Sequence, residues 1–197
     1  MTFILIITVV LGVFVGYGLF PSTWFNATDY IMDGGLCLLL LLVGIDIGKQ
    51  KNVLLEIKKM GLSIVFVPIM IAAGSIFGAL IGGAIIGLPI HEAGAVGAGF
   101  GWYSLSAVIL SDYSAQLSAL AFLTNVIREL LAIVSIPFVA KWAGYMEAVA
   151  PAGATAMDTT LPIITKYTDS KIAVMAFVSG AILSSLVPLL VPLIIGL

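Results

Sequence analysis

Two ionisable residues stand side by side within a long apolar run. The string Asn125-Val-Ile-Arg128-Glu129 lies about ten residues after the start of an apolar segment at about 115–140. Asn125, Arg128 and Glu129 are three and four residues apart, so one helix face can present all of them. An ionised side chain at the centre of a membrane costs at least about 2.5 kcal/mol. This pattern indicates either a structural ion pair of Arg128 with a distant carboxylate, or a substrate or proton site at Glu129.

A second polar stretch lies between Pro151 and Pro162 and combines one carboxylate with three threonine hydroxyl groups. Proline fits the first turn of a helix, but inside a helix it removes a backbone donor and kinks the chain. Pro162 would therefore leave carbonyl oxygens unpaired close to Asp158. Carboxylate, hydroxyl and carbonyl oxygens together suit a cation, whereas the alternative is a helix end at the membrane surface with a hydrated carboxylate. The candidate ligands are Thr155, Asp158, Thr159 and Thr160.

A third stretch, 97–106, has glycine at three alternate positions, followed by two aromatic residues. Each glycine weakens a helix by up to about 1 kcal/mol relative to alanine, which favours unwound backbone. Aromatic ring faces can hold an ammonium group. The alternative is tight helix packing through small residues, with the rings in a belt at the membrane surface. The candidate binding residues are Trp102, Tyr103 and Ser104.

Asp46 ends another apolar run, about one helical turn before a group of lysines. It is either a hydrated residue at the membrane surface or a carboxylate at the inner mouth of a pathway. The sequence has one cysteine and one histidine, and it contains no Walker sequence, no His-Glu-x-x-His and no nucleophile elbow. We therefore expect no enzyme activity, no metal site and no cofactor. The few basic residues offer no patch for nucleic acid.

The elements that must hold these residues are transmembrane helices. The chain has 197 residues, of which 61% are hydrophobic and 9% charged, whereas a soluble domain is about a quarter charged. A membrane helix takes roughly 20 residues, so the length allows six or seven spans in one polytopic domain. Polar residues divide the chain into seven segments at about 2–20, 29–48, 61–88, 92–110, 115–140, 151–165 and 172–196.

The fourth and sixth segments are interrupted by small and hydroxyl-bearing residues. Irregular backbone at membrane depth is tolerated only where it is buried or lines a wet cavity, and paired interrupted helices typically mark a transporter's substrate site. We therefore predict an all-α membrane fold with two broken or re-entrant helices, in which the sixth segment either crosses or turns back. Cytoplasmic loops are rich in lysine, which predicts a cytoplasmic N-terminus from Lys49, Lys51, Lys58 and Lys59.

Three strings in these stretches resemble the LysO family of lysine exporters: Gly99–Ser106, Asn125–Ile133 and Gly153–Pro162. The resemblance extends over about residues 30–197. It implies a multi-pass protein of a prokaryotic inner membrane that exports L-lysine, and analogues such as thialysine, by proton antiport. Intramembrane acids, here Glu129 and Asp158, are then the expected working groups.

Longer members of that family carry a few more helices before the part that this chain resembles. The resemblance therefore implies a small membrane subunit, or a second copy of this chain, that supplies those helices.

In the expected mechanism Glu129 and Asp158 face the two ammonium groups of lysine, and Asn125 with the threonine hydroxyls completes the shell. Arg128 or the N-terminal end of a broken helix holds the carboxylate. The other interpretations are a transporter or channel for another small cation or amino acid, and a structural membrane subunit.

Overall fold

The computed structural model describes residues 61–196 as a continuous stretch and, before them, only some helical positions between residues 7 and 45. The predicted segments at about 2–20 and 29–48 are therefore described only in part. Asp46 lies outside the described residues, so both interpretations of its carboxylate stay predictions.

Six α-helices follow one another in the continuous stretch. Two short 3₁₀ helices, Glu147–Val149 and Gly153–Met157, lie between the fourth and the fifth. All regular structure between residues 61 and 196 is thus helical, which confirms the all-α class for this part of the chain. The helices are α1 Ser63–Ile86, α2 Ile90–Gly97, α3 Tyr103–Ser111, α4 Ala115–Trp142, α5 Leu161–Tyr167 and α6 Ser170–Ile195.

Three of these helices, α1, α4 and α6, are long and apolar enough to cross a membrane. They contain 24, 28 and 26 residues, compared with roughly 20 for one span. They confirm the predicted third, fifth and seventh segments as continuous helices to within a few residues at each end. Large apolar side chains are exposed on them, as at Phe77, Leu131 and Leu193, which agrees with contact to lipid.

Local sequence signals explain where the long helices begin and end. Ser114 and Asp169 precede α4 and α6, and their side-chain oxygens accept hydrogen bonds from N–H groups of the following turn. Such caps satisfy backbone donors that have no partner inside the helix. α1 ends at Gly87, whose left-handed backbone with φ 77° is accessible to glycine at little cost.

The fourth and sixth predicted segments consist of short helical pieces joined by irregular backbone. The fourth comprises α2 and α3, joined by residues 98–102, which we call the first irregular segment. The sixth comprises the 3₁₀ helix Gly153–Met157 and α5, while the 3₁₀ helix Glu147–Val149 lies just before it. We call residues 143–160 the second irregular segment. Pro162 lies in the first turn of α5, where its missing N–H group costs little. This proline therefore starts a helix, whereas the sequence suggested that it breaks one.

The core lies where α6 packs against the second irregular segment. Gly180 of α6 permits this approach, because a Cβ atom there would lie 2.8 Å from the carbonyl oxygen of Ala154. Ala154, Ala156 and Ala176 are all buried around it. Small residues let helices approach closely inside a membrane. The continuous helix α6 can therefore pack directly against the backbone of the second irregular segment.

Candidate functional site

The two irregular segments contact each other and are hydrogen-bonded, and we call this contact the crossing. The backbone N–H group of Ala154 donates to the carbonyl oxygen of Phe100 over 2.8 Å. Phe100 is fully buried and has a left-handed backbone with φ 49°, which is strained for a bulky residue. Such strain persists only where the surrounding contacts enforce it, and it clusters at functional sites. The crossing is therefore the structural centre of the site.

Asn125 of α4 holds the first irregular segment in place. Its Oδ1 accepts a hydrogen bond from the N–H group of Gly101 over 2.7 Å. Its Nδ2 donates to the carbonyl oxygen of Ala121 and to the hydroxyl group of Ser106, over 2.9 and 3.3 Å. Both amide donors and the acceptor are thus engaged within the protein, and the side chain is only 2% exposed. Asn125 therefore positions the backbone of the first irregular segment.

A pocket of about 200 Å³ opens beside the crossing, and we call it the acidic pocket. Residues of both irregular segments, of α3, of α4 and of α6 contribute to its wall. Its volume is below the roughly 300–1,000 Å³ of sites for drug-sized ligands, so it suits a small solute. The lining residues are Gly101, Trp102, Tyr103, Ser104, Glu129, Ala154, Thr155, Met157, Asp158, Thr159 and Ser184.

Glu129 and Asp158 meet in this pocket and are joined through Thr159. The hydroxyl group of Thr159 donates to Oε1 of Glu129. The backbone N–H group of Thr159 donates to Oδ1 of Asp158 over 2.6 Å. Counted from Ala115, Glu129 is the fifteenth of the 28 residues of α4. At 1.5 Å per residue this is roughly 20 Å from either helix end, so the glutamate lies far from the ends of its span.

The surroundings of these two acids favour a cationic guest. Among residues 61–196, no basic side chain lies within 4 Å of either carboxylate. The rings of Trp102 and Tyr103, each 36% exposed, line the same pocket and can contribute to binding an ammonium group. The first turn of α3 also borders the pocket, and free N–H groups at a helix N-terminus favour an anion. The pocket therefore combines two acidic groups with one helix N-terminus.

Arg128, the residue before Glu129, has a different environment. Its Nη1 donates to the hydroxyl group of Ser75 over 2.6 Å, and its Nε donates to the carbonyl oxygen of Pro151 over 3.3 Å. It lines two other cavities, of about 470 and 450 Å³, and not the acidic pocket. The helical spacing that grouped Arg128 with Glu129 in the sequence therefore does not bring them to one cavity.

The fold brings most of the residues singled out in the sequence to the acidic pocket. Asn125 and Arg128 lie behind its wall, and Thr160 is fully buried, with its hydroxyl group donating to the carbonyl oxygen of Thr155. The predicted residues that line the pocket are Trp102, Tyr103, Ser104, Glu129, Thr155, Asp158 and Thr159.

Two contributors were missed in the sequence. Ser184 of α6 lines the acidic pocket and donates to the sulfur atom of Met157 over 3.6 Å. The only signal for it was a pair of serines in an otherwise apolar segment. Ser75 of α1 binds Arg128 and also donates to the carbonyl oxygen of Gly97 over 2.8 Å. No local pattern distinguished Ser75 from a serine that packs two helices together.

Comparison with known proteins identifies the family of this chain. A family profile described as "Lysine exporter LysO" matches residues 6–195. The protein named Lysine exporter LysO from Escherichia coli (strain K12) is 37% identical over 159 residues, which are 79% of this chain and 52% of that protein. A protein named Putative lysine exporter from Haemophilus influenzae (strain ATCC 51907 / DSM 11121 / KW20 / Rd) is 30% identical over 192 residues, 94% of either chain.

No solved structure matches this chain. The chain spans about half the length of the Escherichia coli relative and nearly the whole length of the Haemophilus influenzae relative. The family profile covers almost every residue, including both irregular segments and all of α4. The chain therefore belongs to the LysO family of lysine exporters.

Proposed function

We propose that this chain exports L-lysine, and analogues such as thialysine, across a prokaryotic inner membrane in exchange for protons. The observation that carries the proposal is the pairing of Glu129 and Asp158 through Thr159 in a small pocket at the crossing. The names of the two relatives support lysine as the exported amino acid.

The acidic pocket offers a partner for each charged group of lysine. The carboxylates of Glu129 and Asp158 bind the two ammonium groups, and the rings of Trp102 and Tyr103 lie beside them. The first turn of α3 binds the substrate carboxylate, because its N–H groups and the helix dipole favour an anion. A neutral amino acid leaves one acid without a cation, and an unpaired charge in apolar surroundings is costly. The pocket therefore selects a dicationic amino acid.

Proton coupling follows from competition for the same two acids. A carboxyl group in apolar surroundings is ionised only when a nearby cation or donor stabilises the charge. Lysine therefore binds to the deprotonated pocket and leaves when protons replace it. Because protons and lysine exclude each other, one is carried inwards as the other is carried outwards.

The proposal also needs a pathway to both sides of the membrane. We assign α2 with α3, and the second irregular segment with α5, to two interrupted membrane helices that cross at the acidic pocket. With a cytoplasmic N-terminus, lysine enters the pocket from the side of the lysine-rich loop at Lys49–Lys59. A small membrane subunit, or a second copy of the chain, packs beside these helices in the lipid bilayer.

Inverted membrane vesicles test the proposal directly. Vesicles that contain the chain should take up labelled lysine in a saturable way when their interior is acidified, and a protonophore should stop the uptake. Vesicles without the chain serve as the control. Uptake that does not depend on the proton gradient would contradict antiport. Uptake that does not saturate with lysine concentration would indicate a channel. If another amino acid competes more strongly than unlabelled lysine, that amino acid is the substrate instead.

Replacement of Thr159 with valine is expected to weaken lysine transport about tenfold. Valine keeps the shape of the side chain but removes the hydroxyl group that donates to Glu129. A hydrogen bond to a charged group contributes about 1.5–3 kcal/mol, and 1.4 kcal/mol corresponds to a tenfold change. Uptake of lysine in the vesicle assay, measured over a concentration series, gives the effect.

The matched control is Thr165→Val in α5. Among the described residues, Thr165 donates only to the carbonyl oxygen of Leu161 in its own helix, so this variant should transport lysine at the normal rate. Equal transport by the two variants would mean that the hydroxyl group of Thr159 does not act on the substrate site.

A further inference from the structure

We infer that Arg128 is a positioning residue: its guanidinium group is a resident cation that holds the two irregular segments in their crossed arrangement and does not bind the substrate. The inference rests on the proposed function for its transport readout. It replaces the expectation from the sequence that Arg128 holds the carboxylate of lysine.

The hydrogen bonds of Arg128 connect three separate parts of the chain. From α4, its Nε reaches the carbonyl oxygen of Pro151 in the second irregular segment over 3.3 Å. Its Nη1 donates to the hydroxyl group of Ser75 in α1 over 2.6 Å. That hydroxyl group in turn donates to the carbonyl oxygen of Gly97 over 2.8 Å. One side chain therefore links α1, α2, α4 and the backbone of the second irregular segment.

The groups that Arg128 reaches carry negative partial charge. Gly97 is the last residue of α2, and carbonyl groups at the C-terminal end of a helix have no partner in that helix and bear the negative pole of its dipole. The carbonyl oxygen of Pro151 lies in irregular backbone just before the 3₁₀ helix that begins at Gly153. The positive charge of Arg128 therefore stabilises carbonyl groups in two interrupted stretches of backbone. Without it, a bound ion or several polar side chains would be needed.

The guanidinium group is packed directly against the crossing. A Cβ atom at Gly153 would lie 2.8 Å from Nη2 of Arg128, and one at Gly101 would lie 4.0 Å from its Cδ. Both glycines have left-handed backbone, with φ 64° and 102°, and they belong to the second and first irregular segments. The absence of a side chain at Gly153 is thus what lets the guanidinium group lie against the second irregular segment, whereas a Cβ atom at Gly101 would make only an ordinary contact with the arginine.

The position of Arg128 separates it from the acidic pocket. Each of the two cavities that it lines also contains Gly74 and Ser75 of α1, and neither contains Glu129 or Asp158. No carboxylate of residues 61–196 lies within 4 Å of its nitrogen atoms. Within the described residues its hydrogen bonds go to the carbonyl oxygen of Pro151 and the hydroxyl group of Ser75, and not to an acid. Arginine, with several donors in one plane, can reach both groups at once, whereas lysine has a single donor nitrogen.

The test compares the transport kinetics of Arg128→Lys and wild type, normalised to the amount of folded transporter. Lysine keeps the charge but loses the fork of donors, so we expect the maximal rate of lysine uptake to fall about tenfold while KM for lysine stays within about twofold. A merely structural role would leave the rate per folded molecule unchanged. A substrate-binding role would raise KM for lysine but not for lysinamide, which has no carboxylate. Either of these two results overturns the inference.

A second variant keeps the inference testable if Arg128→Lys does not fold. Ser75→Ala removes only the connection from Arg128 to Gly97, and we expect it to lower the maximal rate about threefold at constant KM. Ser118→Ala is its control, because Ser118 also donates from one helix to the carbonyl oxygen of a neighbouring one, Ala107, but lies away from the crossing. Equal rates for the two serine variants would contradict the inference.

Failure of the proposed function is separable from failure of this inference. If wild-type vesicles take up no lysine, the proposed function fails, and the role of Arg128 is then decided by unfolding in detergent without substrate. A guanidinium group that holds the crossing predicts a lower Tm for Arg128→Gln than for wild type. An unchanged or raised Tm, as expected when an unpaired buried cation is removed, overturns the inference.

Discussion

Glu129→Gln is expected to reduce lysine export at least a hundredfold and to leave the amount and the Tm of the protein nearly unchanged. Glutamine has the same shape and can still accept the hydrogen bond that Thr159 donates to Glu129, so the wall of the pocket is preserved. What is lost is the negative charge that faces an ammonium group and exchanges a proton. Removal of one partner from a buried, hydrogen-bonded charge pair costs about 2–5 kcal/mol, and a hundredfold change corresponds to about 2.8 kcal/mol.

The measurement is lysine uptake by inverted vesicles, with a proton gradient and with the gradient collapsed. Asp112→Asn is the control, because Asp112 is exposed at the C-terminal end of α3 and does not line the acidic pocket. The control should transport at the wild-type rate. If Glu129→Gln transports as well as Asp112→Asn, Glu129 has no part in the mechanism, and the proposal based on the acidic pocket fails with it.

Gly153→Ala is expected to destabilise the protein strongly, and much more than the same substitution at Gly196. Gly153 has φ 64°, a conformation that costs a residue with a side chain about 1–2 kcal/mol. Its added Cβ would also lie 2.8 Å from Nη2 of Arg128 and closer still to the carbonyl oxygen of Phe100. Because the backbone of Phe100 is itself strained, it has little freedom to move away. We expect a total cost above about 3 kcal/mol, beyond the usual range for one substitution.

Gly196→Ala separates the two contributions to this cost. Gly196 also has a left-handed backbone, with φ 83°, but no atom of the described residues lies within 4 Å of the position of its Cβ. The change in stability caused by Gly196→Ala therefore measures only the cost of placing a side chain on left-handed backbone. Thermal unfolding in detergent should show a Tm roughly 10 °C lower for Gly153→Ala and a much smaller change for Gly196→Ala. Equal changes would show that the crossing is not tightly packed at Gly153.

Much of the architecture could be predicted because the membrane allows few solutions. Apolar runs of 20 or more residues form helices in lipid, since every backbone N–H and C=O group needs an internal partner there. The bounds of α1, α4 and α6 follow from this rule together with Ser114, Asp169 and Gly87 as end signals. The two stretches that violate the rule, around Gly99 and Asp158, were recognisable for the same reason, because small and hydroxyl-bearing residues stand out against an apolar background.

The membership of the acidic pocket was only partly predictable. Helical spacing grouped Asn125, Arg128 and Glu129 on one face, but in the structure only Glu129 lines the pocket. Spacing along a helix fixes the angle between side chains and not what lies opposite each of them. The partners opposite are Thr159 for Glu129, Gly101 for Asn125, and Ser75 for Arg128, and they come from distant parts of the chain.

The sequence by itself determined that this chain is a helical membrane protein with one acid, Glu129, deep in an apolar run and a second, Asp158, in an interrupted stretch, because composition and apolar run length suffice for that conclusion. Only the tertiary structure decided where the two acids lie relative to each other. In the structure, Ala154 is hydrogen-bonded to Phe100 from a distant part of the chain, Glu129 and Asp158 line one pocket, and Arg128 instead binds the carbonyl oxygen of Pro151 and the hydroxyl group of Ser75. Contacts between distant segments depend on close packing in three dimensions, which residue types and their spacing along one chain do not specify.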